Sequence, residues 1–279
     1  MELAAGVTER GVTERPFTLD RPKEPVPGIL WTPERAGGPR PLVALGHGGT
    51  QHKRAPNLLA LARSLVRHHG YAVVAIDLPF HGERAAGEAV TPGADERGSG
   101  DQDGDDVGGG PDLAGGRERL RALRRRMFGA EREMVTALAL ADWTATLDAV
   151  QQLDEVGTGP IGYWGLSMGT HFGLPLVAGE PRIVAAVLGL FGWTKDSPLV
   201  GYDDQARAVD VPVLFLVQWN DELVPRAAAF ELFDLLGTNE KTLHANPGVH
   251  VAVPRAERVA AEAFLAQHLG PVEGFTPAT

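Results

Sequence analysis

The sequence predicts an α/β fold with a mostly parallel central sheet and helices on both of its faces. Three observations predict it. Nearly continuous apolar runs such as Tyr71-Ala72-Val73-Val74-Ala75-Ile76 fit strands covered on both sides. Helix-periodic stretches separate these runs, and polar or glycine-containing punctuation follows them. The 279 residues are enough to bury a large core, so a single domain over 1–279 is the simplest organisation.

Taken in order, Phe17-Thr18-Leu19 and Gly28-Ile29-Leu30-Trp31 read as short antiparallel strands separated by proline-rich turns. Pro41-Leu42-Val43-Ala44-Leu45-Gly46 is the first strong strand, and His47-Gly48-Gly49-Thr50 follows it. A helix is expected from Pro56 to His68, with Leu58, Leu61, Ala62 and Leu65 on its apolar face, widened by Leu59, and an end near Gly70. The Tyr71–Ile76 strand then delivers Asp77 to its carboxyl end. Residues 87–116, rich in Gly, Asp, Pro and Glu, interrupt this rhythm, and 87–130 is expected to be a lid or flexible insertion. Within it, Arg117–Phe128 has helical character with Leu120, Leu123 and Met127 near one face. A longer helix is expected over Glu131–Leu153, its stripe formed by Met134, Leu138, Ala141, Thr144 and Leu147. Further strands are Ile161–Trp164, Ile183–Leu188, Val211–Val217 and a weaker Thr242–His244.

Composition narrows the function classes. The formal net charge of −10 provides no general footprint for nucleic acid. No apolar run reaches the length of a membrane span, so no stable membrane insertion is expected. The start, Met1-Glu2-Leu3-Ala4-Ala5-Gly6, lacks the basic and apolar segments of a secretory signal, which makes the cytoplasm the expected location. With no cysteine, disulfides, thiolate metal sites and a cysteine nucleophile are excluded. No histidine spacing resembles a strong metal-ligand motif, and neither metal nor cofactor is expected.

The chemistry centres on Gly165-Leu166-Ser167-Met168-Gly169, which directly follows the Ile161 strand and precedes an apolar helix-forming segment. Two glycines around a serine permit the tight strand-to-helix turn that exposes a nucleophile. A serine hydroxyl needs a base to take its proton and a third group to orient that base. Downstream, Asp221 lies just beyond the Val211–Val217 strand, and His250 lies beyond the last strand in Asn246-Pro247-Gly248-Val249-His250. That order, Ser then Asp then His, suits loops at the carboxyl ends of a parallel sheet. Glu222 competes with Asp221 for the acid role, but its side chain should point elsewhere if Asp221 points inward. The Met168 N–H, next to the serine at a helix start, is one candidate oxyanion donor; Gly49 is the preferred second and Thr50 the alternative. His47 and His81 are read as shaping the pocket through hydrogen bonds.

This ordered set resembles the α/β-hydrolase family, particularly its dienelactone-hydrolase-like and carboxylesterase or acyl-peptidase branches. The matching landmarks run from His47-Gly48-Gly49-Thr50 and Asp77-Leu78-Pro79-Phe80-His81-Gly82 through the Ser167 pentapeptide to Asp221-Glu222-Leu223-Val224-Pro225 and Gly248-Val249-His250. The resemblance implies the α/β-hydrolase fold over Pro41 to Leu269. It also implies that Ser167 attacks an acyl carbon, His250 accepts the proton and Asp221 orients His250. Asp77 matches a structural aspartate of the family. Ser167 departs from the cysteine common in dienelactone hydrolases proper, and it disfavours branches with an aspartate nucleophile.

The expected function is hydrolysis of a carboxylic ester through an acyl-enzyme. The alternatives are amide or peptide hydrolysis, acyl transfer, and a noncatalytic binding protein on the same scaffold. The partner is a small-molecule acyl substrate, with homo-oligomerisation left open. Phe80, Trp193, Trp219 and Leu223 in strand-end loops, together with Thr50 and His171 beside the motifs, are candidate pocket residues; core packing explains the aromatic and leucine positions equally well.

Overall fold

Ten strands form one sheet among residues 1–35, 38–85, 129 and 131–276, which the computed structural model describes. They are β1 (Glu2–Leu3), β2 (Val7–Glu9), β3 (Val12–Leu19), β4 (Val26–Pro33), β5 (Leu42–Gly46), β6 (Ala72–Ile76), β7 (Ile161–Gly165), β8 (Ile183–Gly189), β9 (Val213–Gln218) and β10 (Lys241–Asn246). Their order across the sheet is β1, β3, β4, β6, β5, β7, β8, β9, β10, with β2 paired to β3. From β6 to β10 every pairing is parallel, whereas β4 joins β6 and β3 joins β4 in antiparallel fashion.

The expected amino-terminal strands are present but longer, with Phe17 opposite Gly28. A side chain at Gly28 would meet the Phe17 ring, which explains how an aromatic crosses the pair there. The short β1 and β2 went unforeseen because they offer two and three residues with exposed, polar-rich faces. The weak Thr242–His244 strand extends to all of β10.

Helices cover both faces. On one lie α2 (Arg132–Gln151), α3 (Met168–Gly179), α4 (Tyr202–Arg207) and α5 (Arg226–Leu235), packed around Trp143, Tyr163, Phe172 and Phe215. On the other, α1 (Pro56–His69) and α6 (Arg255–Leu269) bury Leu58, Leu61, Leu65 and Leu265. Helix α1 starts with Pro56 in its first turn and stops at Gly70 in the left-handed region, as its proline and glycine dictate. The expected stripe on α2 is out of phase. Met134, Ala141 and Thr144 are exposed, and the buried face carries Val135, Ala139, Trp143, Leu147 and Val150 together with Asp142 and Thr146. Trp143 fixes that rotation by packing edge-on against Tyr163, and Asp142 turns inward to pair with Arg84. The expected insertion at 87–130 lies outside the described residues apart from Gly129, as does the Arg117–Phe128 helix.

Topology positions the site. From β5 the chain passes to β6 on one side and later returns as β7 on the other, creating a switch point at the carboxyl ends of β5 and β7. Gly46 and Gly165 are register partners, so the loops leaving these strands start side by side. Gln218 and Asn246 likewise pair at the ends of β9 and β10. Among the described residues, no helix is long and apolar enough to cross a membrane.

Candidate active site

Ser167 occupies the turn between β7 and α3 with φ +58° and ψ −116°, a strained conformation for a residue with a side chain. The surroundings hold it there. Its N–H donates to Gly189 O at 2.9 Å, while Thr170 Oγ1 lies 2.8 Å from Gly165 O and 2.7 Å from Gly189 O. The two glycines are required by close approach: a Cβ at Gly169 would lie 2.5 Å from Gly46 O, and one at Gly165 2.6 Å from Tyr163 Oη. The pentapeptide therefore presses helix α3 against the end of β5 and leaves the serine side chain projecting.

The loops after β9 and β10 bring the other two groups to it. His250 Nε2 is 2.9 Å from Ser167 Oγ, and His250 Nδ1 is 2.7 Å from Asp221 Oδ2. A carboxylate only accepts, so Nδ1 carries the ring proton and Nε2 is free to accept from the serine hydroxyl. Asp221 Oδ1 accepts the N–H groups of Leu223 at 2.8 Å and Val224 at 2.9 Å, which locks its orientation. The side chains of Asp221 and His250 are both buried, so their mutual attraction is little screened by solvent.

The imidazole nitrogens bond to Asp221 and Ser167 and not to Glu222, yet Glu222 is not a bystander. Its Oε2 accepts the backbone N–H of His250 at 2.9 Å. Gln218 Nε2 donates to Val249 O at 3.2 Å, so the Val249–His250 peptide group is held at both its carbonyl and its N–H, by the end of β9 and by the loop after it. The adjacency of Glu222 to Asp221 was the only sequence signal for this contact.

The loop after β5 faces the serine. Gly48 N–H donates to Gln51 Oε1 at 3.1 Å, and Gly48 O accepts from His47 Nδ1 at 2.9 Å. His47 Nε2 in turn accepts the Leu78 N–H at 3.1 Å, which fixes its tautomer. Among the described residues, the N–H groups of Gly49 and Met168 donate to no protein acceptor. Gly49 lines the cavity that also holds Ser167 and His250, and Met168 begins α3, where the helix dipole favours negative charge. Thr50, exposed with φ +61°, is outside that lining.

Burial governs the remaining histidines. His47 and His81 are buried with their rings 5.1 Å apart, and desolvation lowers both pKa values; their contacts support the Gly48–Gly49 and Pro79–His81 turns. His171 is buried among Phe172, Phe191 and Tyr202, and desolvation lowers its pKa to about 4. Asp77 accepts from Lys53 through both the N–H at 2.9 Å and Nζ at 2.6 Å, and from the Glu83 N–H. Burial alone would raise the Asp77 pKa, but the Lys53 charge and these hydrogen bonds lower it. Asp77 thus ties the segment before α1 to the end of β6.

The cavity at Ser167 is lined by Gly48, Gly49, Trp164, Leu166, Leu190 and His250, with Leu216 and Val253 beyond them. Phe80, His171, Trp193, Trp219 and Leu223 are not among its lining residues. Phe80 and Trp193 pack against the core, while Trp219 and Leu223 are exposed, the former beneath the Arg226 guanidinium at 3.9 Å. Among the described residues, no group of His, Asp and Glu is arranged to hold a metal ion.

Fold, turn and relay together define an α/β-hydrolase. The chain belongs to the dienelactone hydrolase family, whose model matches residues 26–250. A cold-adapted esterase from an Arctic intertidal metagenomic library, in a PEG-bound complex, is 37% identical; the match covers 97% of this chain and 100% of that one, with a TM-score of 0.74. Two more distant structures share the fold. Est1E from Butyrivibrio proteoclasticus with ferulic acid bound is 16% identical over 90% of this chain and 98% of that one, with a TM-score of 0.62. An acetyl xylan esterase from Paenibacillus sp. R4 is 17% identical over 95% and 87%, with a TM-score of 0.65. No curated protein sequence matches the chain.

Proposed function

We propose that this protein hydrolyses carboxylic esters of small molecules through a covalent acyl intermediate on Ser167. The observation that carries the reading is the continuous relay from Ser167 Oγ to His250 Nε2 and from His250 Nδ1 to Asp221 Oδ2. Its 37% identity to an esterase over nearly the whole of both chains supports the same chemistry.

In the first half-reaction Ser167 Oγ forms a bond to the ester carbonyl carbon as its proton passes to His250 Nε2. Asp221 stabilises the resulting imidazolium. The carbonyl oxygen becomes an oxyanion and accepts hydrogen bonds from the Met168 and Gly49 N–H groups, which are fixed in place before the charge develops. Collapse of the tetrahedral intermediate breaks the bond to the alcohol oxygen, which leaves with the proton from His250. Water then enters, gives a proton to His250 and attacks the acyl carbon. The second collapse releases the carboxylic acid and returns the proton to Ser167 Oγ.

Steady-state kinetics on a panel of simple esters test the reading. The wild type turns over esters, and Ser167→Ala lowers kcat by about 10⁶-fold, the scale observed when a triad serine is removed. A folded wild type that hydrolyses no ester, or a Ser167→Ala variant that keeps wild-type turnover, contradicts it.

A further inference from the structure

The cavity at Ser167 and His250 has a volume of about 520 Å³ and continues between the amino-terminal parts of α1 and α6. Small-molecule sites span roughly 300–1,000 Å³. Its floor is apolar. Trp164 in β7, Leu166 before the serine, Leu190 after β8 and Leu216 in β9 all belong to the core on the α1 and α6 face of the sheet, and all four line the cleft.

The cleft follows from how α6 is seated. Its later turns lie tight on the sheet: Ala261, Leu265 and Leu269 are buried, and a Cβ at Gly162 would come within 2.9 Å of Leu265 Cδ2. In the first turn the buried position is instead Glu257, whose carboxylate is held by His244 Nδ1 at 2.8 Å on the edge strand β10. Above Trp164 and Leu216 the facing helices therefore leave open space, with an apolar floor and polar walls: Gln51 and Asn57 bound it on the α1 side, and Val253, Arg255, Glu257 and Arg258 on the α6 side.

The geometry points to this cleft as a specificity pocket for an extended apolar arm of the ester, laid along Trp164 and Leu216 with the reacting carbonyl at Ser167. The inference rests on the ester-hydrolysis reading. Each methylene taken from water onto this floor favours binding. The substrate class is thus an ester with a long aliphatic or aryl substituent, and binding energy from that arm positions the carbonyl for attack.

Two tryptophan substitutions on opposite walls test it. Asn57 is exposed, whereas Val253 is half-buried and packs against the edge of the core, so the fold of each variant is checked by its unfolding transition. kcat/KM is measured for p-nitrophenyl acetate and octanoate, which vary the acyl arm, and for ethyl and octyl acetate, which vary the alcohol arm. In the wild type the longer ester is preferred by about tenfold or more in at least one series. Asn57→Trp and Val253→Trp each abolish that preference in the same series, because kcat/KM falls further for the long ester than for the short one. The series affected identifies the arm. No preference in either wild-type series overturns the inference, as does a preference untouched in both folded variants. If one variant fails to unfold cooperatively it is set aside and the other decides; if both fail, the wild-type series decides alone. A wild type that hydrolyses none of these esters overturns the ester reading itself, whereas hydrolysis without chain-length preference overturns only the pocket.

Discussion

Both oxygens of the Asp221 carboxylate are committed, Oδ2 to His250 Nδ1 and Oδ1 to the Leu223 and Val224 N–H groups. That pattern makes Asp221→Asn informative. The two backbone donors demand an acceptor, so the amide oxygen takes the Oδ1 side and the NH₂ faces His250. The imidazole must then carry its proton on Nε2, where it can no longer accept one from Ser167. The expected outcome is a fall in kcat of about 10⁴-fold with the fold intact, the magnitude known for this change in serine proteases; a fall in Tm without a fall in specific activity contradicts it. That Ser167, Asp221 and His250 would meet was legible because each lies a few residues beyond a strand, weakly marked in the case of β10, and they come in an informative order. Glu222 was not, because its contact is to the backbone of His250, and sequence spacing carries no information about a loop folded back from 28 residues away.

At the scale of elements, strands were legible where both faces are buried, as in Ala72–Ile76, and poorly so in β2 and β10, which are not. Helix α2 shows the limit of periodicity. Its sequence is rich in apolar residues all round, so several stripes fit, and the inward turn of charged Asp142 toward Arg84 belongs to the one that forms. A second buried pair, Lys53 with Asp77, clamps the chain between the Gly48–Gly49 loop and α1 onto the end of β6. Lys53→Met leaves the Asp77 carboxylate buried without its counter-charge, and the expected loss is about 3–5 kcal/mol, read as a lower denaturation midpoint. The pH dependence has a definite sign. The Asp77 pKa is lowered in the folded protein, so the pair stabilises above the ordinary aspartate value and that stabilisation is lost as pH falls through the folded value. The stability gap between wild type and Lys53→Met therefore narrows on acidification, from the pH at which the variant's Asp77, raised by burial, takes up a proton down to the lowered wild-type value. A gap that is negligible at pH 7, or constant with pH, contradicts this account of the clamp.

For the whole molecule, parallel register does the assembling. Gly46 beside Gly165 and Gln218 beside Asn246 bring four loops to one end of the sheet, although the first pair is more than a hundred residues apart in the chain. The fold class and the order of the catalytic loops were legible because strand-end punctuation survives in one dimension. The cleft between α1 and α6 was not, since it depends on the seating of one helix against residues from four distant segments. Its lining consequently differs from the aromatic and leucine residues suggested by the loops. This assembly is expected to make Ser167, alone among the serines, a nucleophile. An active-site-directed fluorophosphonate, followed by intact-mass analysis and peptide mapping, reads that directly. The expected result is one adduct per chain, located on Ser167 and absent from folded Ser167→Ala; no adduct on the folded wild type, or one that maps to another serine and persists in Ser167→Ala, would overturn this role for Ser167.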